Sequence, residues 1–171
     1  MSSISSIEKK SSLKSFLTDL KQLTKVGLSL SVVFSSIAGY LLATEVVDFY
    51  VLTLLAIGGF FMVGASNTYN QVIEKETDGL MKRTMNRPLP TGRMHPTTAL
   101  IIAIVFTISG ISILYTINAK TALFGAISIF LYTSAYTPLK AVTPLAVFVG
   151  ARQGAIPIML GLRAAPVHCG R

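Results

Sequence analysis

The chain has 171 residues, 51% hydrophobic and only 13% charged, with a formal net charge of +8 and one cysteine. Soluble domains carry about a quarter charged residues, so this composition excludes an ordinary soluble domain and points to a membrane protein. Its positive balance reads as loop bias rather than nucleic-acid binding, and Cys169 alone excludes an internal disulfide.

Residues 1–25 form a serine- and lysine-rich tail, with Lys9, Lys10, Lys14, Lys21 and Lys25 against Glu8 and Asp19. The following apolar run is too long for a cleaved signal peptide, and the lack of arginine argues against a mitochondrial transit peptide. A bacterial tail is expected. Residues 11–25 are either a surface helix, with Leu13, Phe16, Leu17 and Leu20 on one side, or a frayed terminus.

Uncharged runs then cover residues 26–44, 49–73, 96–119 and 121–139. A membrane helix needs about 20 apolar residues, so each run is an expected span. A fifth, 141–162, is interrupted by Arg152 and Gln153. The fold class expected is an all-α multi-pass bundle of about five spans, closed by an atypical tail at 163–171. Small residues such as Ser35, Ser36, Gly39, Gly58, Gly59, Gly64 and Gly110 suit close helix packing in lipid. Lysine and arginine concentrate in the tail and in the 74–95 loop. Only Glu45 and Asp48 lie between spans one and two, and only Lys120 between three and four. The charge bias places the N-terminus and the 74–95 loop in the cytoplasm, on the bacterial inner membrane.

Residues 67–92 are the long polar stretch between the apolar runs, and hold three of the seven acidic residues. Asn70, Glu74 and Asp78 are four apart, which keeps their oxygens on one helical face. Such a set suits Mg2+, a hard cation that takes one or two carboxylates plus phosphate oxygens. Glu76 points elsewhere by the same count. Lys82, Arg83 and Arg87 follow at once, and cations beside a metal suit a diphosphate. Gly79 is expected to stop the helix in the left-handed conformation, and Arg87-Pro88-Leu89-Pro90 to run extended. Tyr136 and Lys140, where span four ends on the same side, read by residue type as interfacial anchors. His95 and His168 form no ligand set, and Met81, Met85 and Met94 read as packing. No P-loop, dinucleotide, zinc or nucleophile-elbow spacing is present.

The order Asn-x-x-x-Glu-x-x-x-Asp, then Met-Lys-Arg-Thr-x-Asn-Arg-Pro-Leu-x-x-Gly, resembles the first aspartate-rich motif and following loop of the intramembrane UbiA-type prenyltransferases. Glu74 stands where many members carry aspartate. Tyr-Thr-Pro-Leu-Lys-x-Val-Thr-Pro, then Val-Phe-Val-Gly-Ala-x-x-Gly-Ala-Ile-Pro, narrows the resemblance to the haem O synthases, the protohaem IX farnesyltransferases. Asn67-Thr-Tyr-Asn-Gln and Leu23-Thr-Lys25 point the same way. The resemblance covers roughly residues 21–162. It implies transfer of a farnesyl group from farnesyl diphosphate to haem B. Asn70, Glu74 and Asp78 would hold Mg2+. Lys82, Arg83, Arg87, Tyr136 and Lys140 would hold the diphosphate.

This sequence departs from that pattern at Val26, where proline is usual, and at Arg152-Gln153. The family's nine spans and second aspartate-rich motif imply that this chain matches the N-terminal half, since no acidic residue follows Asp78. A quinone-pathway prenyltransferase and an inactive truncated membrane protein are the alternatives.

Overall fold

The computed structural model describes residues 2–136 and 156–164. They form helices α1 (Ser2–Thr24), α2 (Val26–Ala43), α3 (Phe49–Ile73), α4 (Lys75–Leu80), α5 (Pro96–Ile117) and α6 (Ala119–Phe130). A π-helical turn, Leu131–Tyr136, continues α6. Residues 156–164 make a seventh helix, α7.

Local chemistry sets the boundaries. Asp48 caps α3, its Oδ1 accepting the Tyr50 N–H at 2.8 Å, while its own N–H donates to the Tyr40 hydroxyl and closes the α2–α3 turn. Pro96 opens α5, where a missing N–H costs nothing. Asn118 separates α5 from α6. Its Oδ1 accepts the Thr121 N–H at 2.7 Å, and its Nδ2 donates to the Arg163 carbonyl at 2.9 Å. One residue, Lys25, joins α1 to α2, in the left-handed region at φ 47° and ψ 58°.

Helices α2, α3 and α5 are long and apolar enough to cross a membrane, and α6 is a shorter apolar helix. This is a membrane protein. Helix α3 is central: it packs most extensively on α5, then on α2, and also meets α1 and α6. Tyr40, Leu55, Met62, Leu114, Ile129 and Leu160 build the inner core. Outward surfaces stay apolar, as at Phe34, Leu42 and Phe130, which lipid rather than water would solvate. Hydroxyls within the helices bond back to carbonyls, as Thr68 does to Gly64 at 2.8 Å and Thr107 to Ala103 at 2.8 Å. Helix α7 crosses α2 backbone to backbone: a Cβ on Gly161 would collide with the Ser36 carbonyl oxygen, and one on Gly39 would stand 2.5 Å from that of Ile158.

The polar loop folds differently from the expectation. Gly79 lies inside α4, which ends where Met81 turns extended at φ −96° and ψ 126°. The left-handed glycine is Gly92, at φ 73°. Arg87-Pro-Leu-Pro coils instead of extending, with the Thr91 N–H reaching the Arg87 carbonyl and Gly92 the Leu89 carbonyl. Prolines are tolerated at the start of such a turn. The driving burial is that of Leu89, which joins Leu23, Met94 and Ala99 in a second core beneath the loop. Met94 packs there, but Met81 and Met85 are exposed. Of the fifth expected span, 141–155 lies outside the described residues, Arg152 and Gln153 included.

Candidate functional site

The site begins where α3 hands over to α4. Glu74 sits between them at φ −87° and ψ 8°, off ideal helix geometry. The hydrogen-bond ladder nevertheless continues: the Glu74 N–H donates to the Asn70 carbonyl at 2.9 Å, and the Asp78 N–H to the Glu74 carbonyl at 2.8 Å. Asn70, Glu74 and Asp78 therefore stay in register across the break. Asn70 Nδ2 donates to Glu74 Oε2 at 2.9 Å. Asp78 is buried and takes a different partner, Arg87, whose Nη1 meets Oδ2 at 2.5 Å. Thr84 ties the loop to the same residue through its hydroxyl, which donates to the Asp78 carbonyl at 2.8 Å.

Of the three loop cations, Arg87 alone is half-buried; Lys82 and Arg83 are exposed. Tyr136 closes the π-helical turn, but its side chain and Lys140 lie outside the described residues. Among the described residues, no three His, Cys, Asp or Glu side chains converge on one point. The face instead offers two carboxylates and an amide, an all-oxygen donor set for a hard divalent cation once a ligand's phosphates complete the shell. Asn70 and Asp78 are each under 5% exposed, so the oxygens are held in place by the fold. Oxygen donors of these types are the kind a magnesium ion takes.

Two residues that spacing alone does not assign shape the same end of the bundle. Gln71 Nε2 donates to the carbonyls of Gln22 at 3.2 Å and Leu23 at 2.7 Å, and Asn67 Nδ2 to that of Thr24 at 3.2 Å. Ser29 adds its hydroxyl to the Thr24 carbonyl. These are the last carbonyls of α1, which no helical N–H can satisfy. The available signal is two amides four apart inside an apolar run, a costly placement in lipid unless each finds a backbone partner. Arg93 reads from sequence only as a loop cation. It braces the loop to α1, pairing with Asp19 at 3.2 Å and donating to Gln22 Oε1 at 3.3 Å and the Asn86 carbonyl at 2.8 Å. His95 caps α5, its Nδ1 accepting the Thr97 N–H.

Replacing Gln71 with leucine leaves the Leu23 carbonyl without its amide donor and the Gln22 carbonyl with only the Lys25 N–H at 3.4 Å, at about 1–3 kcal/mol. We expect limited proteolysis of the solubilised protein to cut within α1 much faster in this variant, the remaining helices surviving. An unchanged cleavage pattern would mean that Leu23 packing alone docks the helix.

Beneath the polar face lies an apolar cavity of about 270 Å³ between α2, α3, α6 and α7. Its upper wall carries Ser66, Asn67 and Tyr132, and its lower wall Met62, Gly125 and Leu160. Asn67, on the cavity wall, stands one helical turn before Asn70, so the polar end of the cavity and the ladder share α3.

Comparison with known proteins follows the same line. The UbiA prenyltransferase family model matches residues 32–169. The protoheme IX farnesyltransferase of Christiangramia forsetii is 63% identical over 151 residues, covering 88% of this chain and 50% of that protein. That of Flavobacterium johnsoniae is 64% identical over 157 residues, covering 90% and 52%. The chain thus spans about half the length of the curated relatives it matches. Among solved structures, a UbiA homolog from Archaeoglobus fulgidus bound to DMAPP and Mg2+ superposes with a TM-score of 0.77 at 18% identity, over 87% of this chain and 56% of that one. At that identity the likeness is one of fold.

Proposed function

Because the chain belongs to the UbiA prenyltransferase family, we propose that it serves the transfer of a farnesyl group from farnesyl diphosphate to haem B, giving haem O. The observation that carries the reading is the Asn70–Glu74–Asp78 ladder, which begins one helical turn along α3 from Asn67, a residue that lines the apolar cavity. The acceptor is inferred from the curated relatives at 63–64% identity, which are protoheme IX farnesyltransferases.

Farnesyl diphosphate joins an anionic head to an apolar tail. The tail would enter the cavity, and the head would rest against the face formed by Asn70, Glu74 and Asp78. These three residues would hold Mg2+, which when bound neutralises phosphate charge. Lys82, Arg83 and Arg87 would approach the diphosphate from the loop, and Tyr136 and Lys140 from the far side. Their contribution is electrostatic. As the allylic C–O bond breaks, its electron pair leaves with the diphosphate, and cations already in place stabilise that charge without reorganising. The apolar cavity would exclude water from the allylic carbon while the haem vinyl group attacks it; water would then add to the cation left on the former vinyl carbon and lose a proton, giving the hydroxyalkyl side chain. Orientation belongs to the same proposal: the loop with Lys82, Arg83, Arg87 and Arg93 faces the cytoplasm, where a soluble diphosphate arrives, at the bacterial inner membrane.

The test is product analysis. Membranes carrying the protein, given farnesyl diphosphate, Mg2+ and equal amounts of haem B and 4-hydroxybenzoate, are expected to yield farnesylated haem. Prenylated hydroxybenzoate instead would move the protein to the quinone pathway, and neither product would withdraw the proposal.

A further inference from the structure

Helix α1 carries an apolar stripe that nothing among the described residues covers. Leu13, Phe16 and Leu17 are 58%, 41% and 55% exposed. At about 100° per residue they share one sector of the helix. The neighbouring sector is the one that packs: Asp19 and Leu23 are buried, the first against Arg93 and the second in the loop core. On the other side of the stripe stand Lys14 and Lys21, both exposed and seven apart, hence in line. Beyond them come Ser15, Thr18 and Gln22, all exposed. Around the helix the order is therefore protein-facing, apolar, cationic and polar.

The stripe is also continuous with the embedded part of the molecule. Its line runs on through Leu20 to Thr24, which packs beside Gly64; a Cβ there would stand 3.6 Å from the Thr24 Cβ. Gly64 lies well inside α3, about 13 Å from its end at Ile73. So α1 emerges from the depth of a membrane-spanning helix with its bare apolar sector leading outward and lysines along one edge. A water-facing helix has no use for that sector. A second protein would meet a face whose two exposed charges among the described residues, Lys14 and Lys21, are both positive.

We propose that α1 lies in the bilayer interface as a docking surface for anionic phospholipid, with Leu13, Phe16 and Leu17 among the acyl chains and Lys14 and Lys21 on the headgroups. Each lysine favours the anionic surface by about fivefold in the docked-to-undocked ratio. The inference is independent of the reaction proposed above.

The protein has no tryptophan, so Phe16→Trp gives a single emitter in the full chain. It would be reconstituted into phosphatidylcholine vesicles with or without phosphatidylglycerol, using lipids brominated near the headgroup as quenchers. The expected result is blue-shifted emission, quenched more strongly in the anionic vesicles, with the difference reduced by salt and by Lys14→Glu with Lys21→Glu. Ser15→Trp, on the polar sector, should stay red-shifted and unquenched. The proposal is overturned if Phe16→Trp emits as in water, if quenching is equal in neutral and anionic vesicles, or if Ser15→Trp is quenched equally. A blue shift that grows with protein-to-lipid ratio, without quenching, would assign the stripe to a second copy and overturn it too.

Discussion

Replacing Asp78 with alanine is expected to lower farnesyl transfer about 10²–10³-fold, the scale seen when one preorganised electrostatic group is removed. The argument rests on placement. Asp78 is the innermost carboxylate of the ladder, 3% exposed, and it holds Arg87. Its removal takes one oxygen donor from the proposed cation site and releases the half-buried guanidinium proposed for the diphosphate. Two losses on one site compound. Because cutting a buried ion pair also destabilises, Asp78→Asn is the sharper variant. It keeps a side-chain oxygen for Arg87 and loses only the charge. We expect the Asp78→Asn protein to melt in detergent close to wild type and still to make almost no product. Wild-type-like product would remove Asp78 from the reaction. Equal losses of melting temperature and activity would make its role structural.

The largest effect on folding is expected at the α2–α7 crossing. Gly161→Val would press new carbons onto the Ser36 carbonyl oxygen and the Tyr40 nitrogen; a single Cβ already collides with the first and stands 2.7 Å from the second. Both are backbone atoms inside a helix, so no rotamer change relieves the clash and the two helices must separate. Overpacking usually costs about 1–3 kcal/mol, and backbone-on-backbone contact belongs at or above the top of that range. Separation would also pull Leu160 and Pro157 away from the cavity they line. The measurement is the yield of monodisperse protein in detergent and its thermal midpoint, with both expected to collapse. Gly59→Ala is the matched control, since its Cβ would meet only Val33 Cγ2 at an ordinary 3.7 Å. If Gly161→Val melts like Gly59→Ala, the close crossing is not what holds α7.

What could be read from residue order follows the range of the forces involved. Hydropathy is local and summed over many residues, so the all-α bundle was legible from the runs that became α2, α3 and α5. The four-residue spacing of Asn70, Glu74 and Asp78 is also local, and the ladder keeps it across the break at Glu74. Partner choice is not local. Which of Lys82, Arg83 and Arg87 meets Asp78 depends on the coil of 81–94, and that coil depends on burying Leu89 against Leu23, far away in sequence. The same burial explains why Gly92, not Gly79, takes the left-handed turn. Asn67 and Gln71 escaped assignment for a related reason: their partners are main-chain carbonyls of another helix, which carry no sequence signal.

The junction at Lys25 has a geometric consequence. A single left-handed residue, not a flexible linker, connects α1 to α2, so the two helices are locked in rotational phase as gears on one shaft. Adding or deleting one residue there would spin α1 by about 100° on its own axis. Gln71 and Asn67 would then face the wrong side of the incoming helix, and Asp19 would swing past Arg93. This junction is fixed in length, and its left-handed backbone narrows its chemistry to residues that accept a positive φ.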